Sequence, residues 1–268
     1  MKRKLYNLLL NVLPRKVKLK FSFLLTRHAR ILLESSFYSS AEFEQNGELW
    51  ILKNPPLPLR FVVDGGANRG DWTSVLLKNN PNLNKVALIE PNAGLAMSLK
   101  NRFEHDERTI IVNLGLDYRK DYIPFDVPSE GDSHGNFSSS IFSSPSEISG
   151  IETTTVDELL NELNFESLDL LKLDLEGFDH YALLGARNSF ANNKIRMVQL
   201  EVTRCWEQSG SSPCSALRFL NNAGFKIFLL KRNSLEALNN ISDMTHFSLY
   251  CNFIGIHKMY FEKEKETR

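Results

Sequence analysis

Cysteine is scarce in this chain: of 268 residues only Cys205, Cys214 and Cys251 are cysteine. An odd set with no C-x-x-C pair and no histidines at ligand spacing excludes a disulfide framework and offers no zinc motif. It fits a reducing compartment, so a cytoplasmic protein is expected. Net charge is lacking too, with 32 Lys and Arg against 32 Asp and Glu. A general nucleic-acid binder needs a basic surplus to release counterions, so nucleic acid is not an expected partner. No apolar run reaches the roughly 18 residues that span a bilayer. The opening Met1-Lys2-Arg3-Lys4 and the stretch Leu5 to Leu13 imitate a signal peptide. That stretch is short, is broken by Asn7 and Asn11, and runs into Pro14-Arg15-Lys16 without a small-residue cleavage site.

The charge that is present is unevenly placed. The first thirty residues hold nine Lys or Arg and no acid, so the remainder is net acidic. Leu5, Leu8, Leu9, Val12 and Leu13 follow the helical stripe, and Phe21, Leu24, Leu25, His28, Ile31 and Leu32 predict a second amphipathic helix. Residues 1–45 therefore read as a basic helical segment. It either packs on the main domain or touches an anionic membrane surface as a peripheral arm.

After a hinge at Asn54-Pro55-Pro56-Leu57-Pro58 the pattern alternates between strands and helices. Strands are expected at Leu59–Val63, Lys85–Ile89, Thr109–Leu114, Leu168–Leu173, Met197–Val202, Lys226–Leu230 and Phe247–Ile256, with a helix over Ala93–Phe103. Near-continuous apolar runs mark strands buried on both faces, hence a mainly parallel sheet in an α/β domain over 46–268. Residues 126–150 break the rhythm with Ser, Gly and Pro and are expected to form a lid loop.

The strongest local signal is Val63-Asp64-Gly65-Gly66-Ala67-Asn68-Arg69-Gly70, where a strand gives way to a helix. Glycines there let the backbone turn sharply and approach a ligand. As G-x-A-x-x-G it narrowly misses the dinucleotide fingerprint. As Asp-x-Gly-x-Asn-x-Gly it resembles the nucleoside loop of class I methyltransferases. A carboxylate at Asp64 would repel a pyrophosphate and attract the ammonium of S-adenosylmethionine, which favours the second reading. Glu90 follows the next strand in Ile89-Glu90-Pro91-Asn92, twenty positions after Gly70, the spacing at which an acid reaches ribose hydroxyls.

Four ordered motifs carry a more specific resemblance. To the glycine loop and Glu90-Pro91 are added Thr155-Val156-Asp157-Glu158-Leu159, then Lys172-Leu173-Asp174-Leu175-Glu176-Gly177 with Leu183-Leu184-Gly185-Ala186 downstream. Over roughly residues 59–256 the chain resembles the FkbM family of methyltransferases. The resemblance implies a Rossmann-like class I fold, with a seven-stranded, mostly parallel sheet ordered 3-2-1-4-5-7-6 and helices on both faces. It implies S-adenosylmethionine as cofactor and O-methylation of a sugar, polysaccharide or related hydroxyl. Phe178-Asp179 stands where many members carry a small residue and Glu, so the charge is kept on a shorter side chain.

On this reading the cofactor is held by Asp64, Gly65, Gly66, Ala67, Asn68, Gly70, Glu90, Pro91 and Asn92, with Leu116 and Asp117 expected at the adenine. Asp174 is expected beside the sulfonium and the acceptor, as base, ammonium contact or metal ligand. Glu176 and His180 are further catalytic candidates, and His134 in the lid is another. Glu201 ends a strand and with Asp174 and Glu176 would supply hard oxygens to a divalent cation, so metal dependence stays open. Trp206, Tyr181 and Phe137 are candidates to stack on a sugar ring. An NAD-dependent oxidoreductase and a noncatalytic nucleoside-binding module are the alternatives.

Overall fold

A computed structural model of the chain describes residues 14–36, 40, 42–125, 149–207, 209–239 and 250–260. Two compact units divide at 39/40. The described part of the first is one helix, α1 (Arg15–Ser36), which contains the expected Phe21–Leu32 stripe. The Leu5–Leu13 stripe lies outside the described residues.

The second unit opens with α2 (Glu48–Lys53), β1 (Phe61–Gly65), α3 (Asp71–Asn79), β2 (Lys85–Ile89), α4 (Ala93–Arg102) and β3 (Thr109–Val112). A small sheet follows, β4 (Gly115–Leu116), β5 (Tyr122–Phe125) and β6 (Ser149–Thr154). Next come α5 (Val156–Glu162), β7 (Leu168–Leu173), α6 (Asp179–Leu184), α7 (Arg187–Ala191) and β8 (Ile195–Val202). The chain continues through α8 (Pro213–Asn222), β9 (Phe225–Lys231), β10 (Ser234–Ala237) and β11 (Cys251–His257). Of the expected lid, residues 126–148 lie outside the described residues, with His134 and Phe137, while Ser149 and Gly150 begin β6.

The main sheet runs β3-β2-β1-β7-β8-β11-β9-β10. β3 to β8 are parallel, and β11 is antiparallel to both neighbours. That is the expected order with one correction: eight strands stand in place of seven. Residues 234–237 turn back and pair antiparallel with β9, covering backbone groups that an edge strand would leave open. The first βα unit lies on one side of β1 and β7 on the other, so β1 borders the point where strand order reverses, the usual position of a ligand crevice.

Sequence detail explains the anchoring. All six residues of β7 are buried. At its start Asp169 accepts the amides of Arg60 and Phe61 at 2.8 and 2.9 Å and pairs with Arg196 at 2.9 Å. Asp157 of the Thr-Val-Asp motif accepts from Asn188 N, Ser189 N and Ser189 Oγ. That motif acid is thus an anchor for the first turn of α7. One sheet face changes character along the strands. Val62 gives way to Asp64, Leu170 to Lys172, and Met197 to Gln199 and Glu201, while antiparallel β11 runs from Asn252 to Ile254 and Ile256. The apolar ends join the core with Leu52, Trp72 and Leu76, and the polar ends gather at the carboxyl edge.

Candidate active site

The loop after β1 is held against its neighbours by backbone bonds: Gly66 N and Ala67 N both donate to Ile89 O at 3.0 Å, and Asp174 N donates to Gly65 O at 3.1 Å. Gly66 has a φ of 74°, and a Cβ built there would overlap the Asp174 carbonyl oxygen. The glycine is therefore needed for both its left-handed backbone and its contact. The same contact brings Asp174 to the glycine loop. Asn68 is also left-handed, with φ 48°, and Gly70 caps α3 with φ 79°.

Asp64 departs from its expected role. Its side chain is fully buried, its Oδ2 accepts from Thr73 Oγ1 at 2.6 Å, and its Oδ1 lies 3.0 Å from Lys172 Nζ. An ammonium from outside has no access to a carboxylate so enclosed. Lys172 also neutralises the charge that would otherwise repel a pyrophosphate. Lys172 is the residue that sequence reasoning passed over, though a lysine inside Leu170-Leu171-Lys172-Leu173 was the signal. Its ammonium also meets Gly66 O at 3.3 Å and Asp174 Oδ2 at 3.5 Å, and it lies 5.8 Å from the centre of the Trp72 ring. Burial by itself would strip its proton, but Asp64, Asp174 and Glu48 outweigh that and hold it more firmly than usual.

Beyond Asp174 the polar face continues. Glu201 hydrogen-bonds Asp174 and accepts from the Tyr250 hydroxyl; burial, then Asp174, hold its carboxyl well above the usual range. Glu48, from α2, accepts from Asn46 Nδ2 and Gln199 Nε2, each at 2.8 Å, and burial pushes it up to about 7. Asn252 pairs in register with Glu201 and is fully buried. Glu48, Tyr250 and Asn252 were not foreseen: Glu48 precedes every recognised motif, and a single polar residue in or beside an apolar strand carries no role by itself.

Glu90 is buried, and its two oxygens each accept one backbone amide, from Asn68 and Asn92, at 2.9 Å. Burial raises its pKa. Asn92 also caps α4 through Leu95 N at 3.1 Å, and Pro91 O accepts from Asn113 Nδ2. The Leu116 side chain lies against Gly65, and Asp117 follows it, with its carbonyl against Gly185. Burial raises the Asp117 carboxyl. Glu176 sits in the turn after β7 with φ 51° and accepts from Thr203 Oγ1 at 3.4 Å. Asp179 folds back onto Gly177 N at 3.1 Å and is pushed up to about 8 by burial, then by Asp174. His180 pairs through Nδ1 with Ser211 Oγ at 3.2 Å, and burial lowers its pKa. Trp206 is 1% exposed and donates to Glu201 O at 3.0 Å, so it is core and not a sugar platform. Tyr181 instead joins Tyr118 and Phe178, with ring centres 6.0 and 5.8 Å away. Among the described residues no group of three or more His, Cys, Asp or Glu could hold a metal ion, so Asp174, Glu176 and Glu201 do not form the cation site left open above.

Two of the expected residues have the chemistry to meet a nucleoside. Leu116 offers an apolar surface beside the loop, and the Glu90 carboxylate keeps lone pairs beyond its two amide bonds to accept hydroxyl protons. Comparison with known proteins bears on the same region. The methyltransferase FkbM domain family matches residues 64–227. No curated protein matches the sequence. Among solved structures, the chain is similar to a methyltransferase FkbM from Methylobacillus flagellatus KT, at 16% identity and TM-score 0.48, covering 74% of this chain and 44% of that one. A SAM-dependent O-methyltransferase from Thermotoga maritima shares 12% identity at TM-score 0.42, covering 78% and 64%. TrmK of M. capricolum, in complex with S-adenosyl-homocysteine, shares 10% at TM-score 0.44, covering 78% and 67%. This chain therefore spans less than half of the Methylobacillus protein.

Proposed function

The chain belongs to the FkbM methyltransferase domain family, and from that premise we propose that it transfers a methyl group from S-adenosylmethionine to a hydroxyl of a sugar or polysaccharide. Family membership favours this reading over an oxidoreductase or a noncatalytic module. The observation that carries the finer reading is the position of Asp174. Its carboxylate is 32% exposed at the carboxyl edge, between Lys172 and Glu201, while its backbone carbonyl lies against Gly66 of the glycine loop. When bound, S-adenosylmethionine supplies a methyl whose bond pair returns to sulfur as the new bond to the acceptor oxygen forms. The chain's own residues bind, orient and take the proton.

Asp174 takes the hydroxyl proton. Lys172 fixes its Oδ2 at 3.5 Å while neutralising Asp64, so one buried cation both holds the loop and orients the base. Glu201 and Tyr250 extend the hydrogen-bonded path away from the acceptor. Positioning supplies much of such a displacement, and a placed base adds roughly a hundredfold or more. The Tyr118, Tyr181 and Phe178 group lies next in sequence to Asp117, His180 and Gly177 and offers ring faces to a sugar, with Tyr118 44% exposed.

Asp174→Asn tests the reading. The variant is expected to bind S-adenosylhomocysteine in calorimetry within about threefold of the wild type. Its release of S-adenosylhomocysteine with a panel of glycans should fall by on the order of a hundredfold. Undiminished turnover would remove Asp174 as the base, and methylation of amines with no glycan accepted would overturn the acceptor class.

A further inference from the structure

Helix α1 belongs to a unit separate from the methyltransferase domain, and it is the only element among that unit's described residues. Its 22 residues extend about 33 Å at 1.5 Å per residue. At about 100° per residue, Val17, Phe21, Leu24, Leu25, Ile31 and Leu32 fall within one sector of about 120°. Lys18 borders that sector on one side, and Lys16, Lys20 and Arg27 border it on the other. His28 stands in the middle of the sector, but its Nδ1 is turned onto Leu24 O at 2.8 Å. Thr26 likewise donates to Ser22 O at 2.9 Å, so both polar groups are satisfied by the helix itself. Leu19 and Phe23 fall outside the sector, among the cations.

We propose that α1 docks on the surface of an anionic lipid bilayer, with the Val17–Leu32 sector entering the headgroup boundary and the flanking cations on lipid phosphates. Charge selects this occupant over a second copy of the chain. The first acid in the sequence is Glu34, after nine Lys and Arg, and a second copy would set the six cations of α1 against six more. An anionic bilayer offers apolar depth and negative charge together, on the geometry of a helix with an apolar stripe and basic flanks. No helix among the described residues is long and apolar enough to cross a membrane, so the helix lies along the interface. Long basic side chains at the sector's borders keep their charge at headgroup level while their stems cover apolar surface.

The test is vesicle flotation with the full chain. Wild-type protein should float with phosphatidylcholine vesicles containing about a third phosphatidylglycerol, stay unbound with pure phosphatidylcholine, and be released by high salt. Each cation near such a surface contributes about fivefold in partitioning. Lys16→Glu with Lys20→Glu and Arg27→Glu should therefore lower it by more than about a hundredfold. Phe21→Ser with Leu24→Ser should lose it at unchanged charge. Both variants should keep the wild-type thermal unfolding and S-adenosylhomocysteine affinity, since they leave every residue of the methyltransferase unit unchanged. Failure of the wild type to float, equal binding to neutral vesicles, or indifference to charge reversal would overturn the proposal. A concentration-dependent dimer in sedimentation, lost in the Phe21 and Leu24 variant, would assign the face to a second copy instead.

Discussion

Replacing Lys172 by Met isolates the electrostatic centre of the site. Its ammonium lies 3.0 Å from Asp64 and 3.5 Å from Asp174, with 5% of the lysine side chain exposed. At an effective dielectric near 20 those two contacts amount to about 10 kcal/mol of gross attraction. Removing the lysine from water takes back several kcal/mol, and Asp174 is partly solvated, so the net value is far smaller. Truncating one partner of a buried pair typically costs ~3–5 kcal/mol, because the other charge is left unpaired. Asp64 would be that charge, fully buried and with Thr73 as its remaining partner. We expect Lys172→Met to lower unfolding free energy by ~3–5 kcal/mol, a large share of the ~5–15 kcal/mol of an ordinary domain. Asp64→Asn should cost a similar amount, and the double variant less than the sum by on the order of 1–3 kcal/mol. Urea unfolding at neutral pH with matched slopes reads all three. A loss under about 1 kcal/mol for Lys172→Met, or simple additivity, would refute the reasoning that Asp64 is a structural anion and not a ligand for the cofactor.

Two further outcomes follow from the same geometry. Burial holds Glu48 up to about 7, above its ordinary 4.5, so the fold prefers its neutral form. The stability it contributes is complete below about pH 4.5 and is lost as pH rises through about 7. Glu48→Gln should gain up to ~3 kcal/mol over the wild type at pH 8.5 and little at pH 5 in chemical unfolding; the same difference at both pH values would contradict this. Gly66→Ala places a methyl onto the Asp174 carbonyl in a left-handed backbone. It should cost about 2 kcal/mol or more and abolish S-adenosylhomocysteine binding in calorimetry; intact binding would show that the loop yields without consequence.

Much of the domain is legible without coordinates because its strands are short, apolar and regularly spaced. Lys85–Ile89 and Leu168–Leu173 are found where the sequence places them, since periodicity and burial agree there. The ends are less legible. Residues 234–237, in which Leu235 is flanked by Ser234, Glu236 and Ala237, carry no strand signal, and only pairing with β9 makes them one. Glu48, Asn252 and Tyr250 are equally silent, because their partners are 151 positions away, as for Glu48 and Gln199, or on antiparallel strands.

The sequence by itself determined the kind of fold, the glycine loop and the line of acids, because each rests on local rules: alternation of strand and helix, backbone freedom, and a residue type at a strand's end. Tertiary structure alone decided what those acids do. Asp64 and Asp174 are both strand-end carboxylates in sequence. One became a buried anchor and the other a partly exposed candidate base only when parallel pairing put Lys172 beside both. A carboxylate's role depends on its solvation and on the nearest opposite charge, and neither is a property of the chain before it folds.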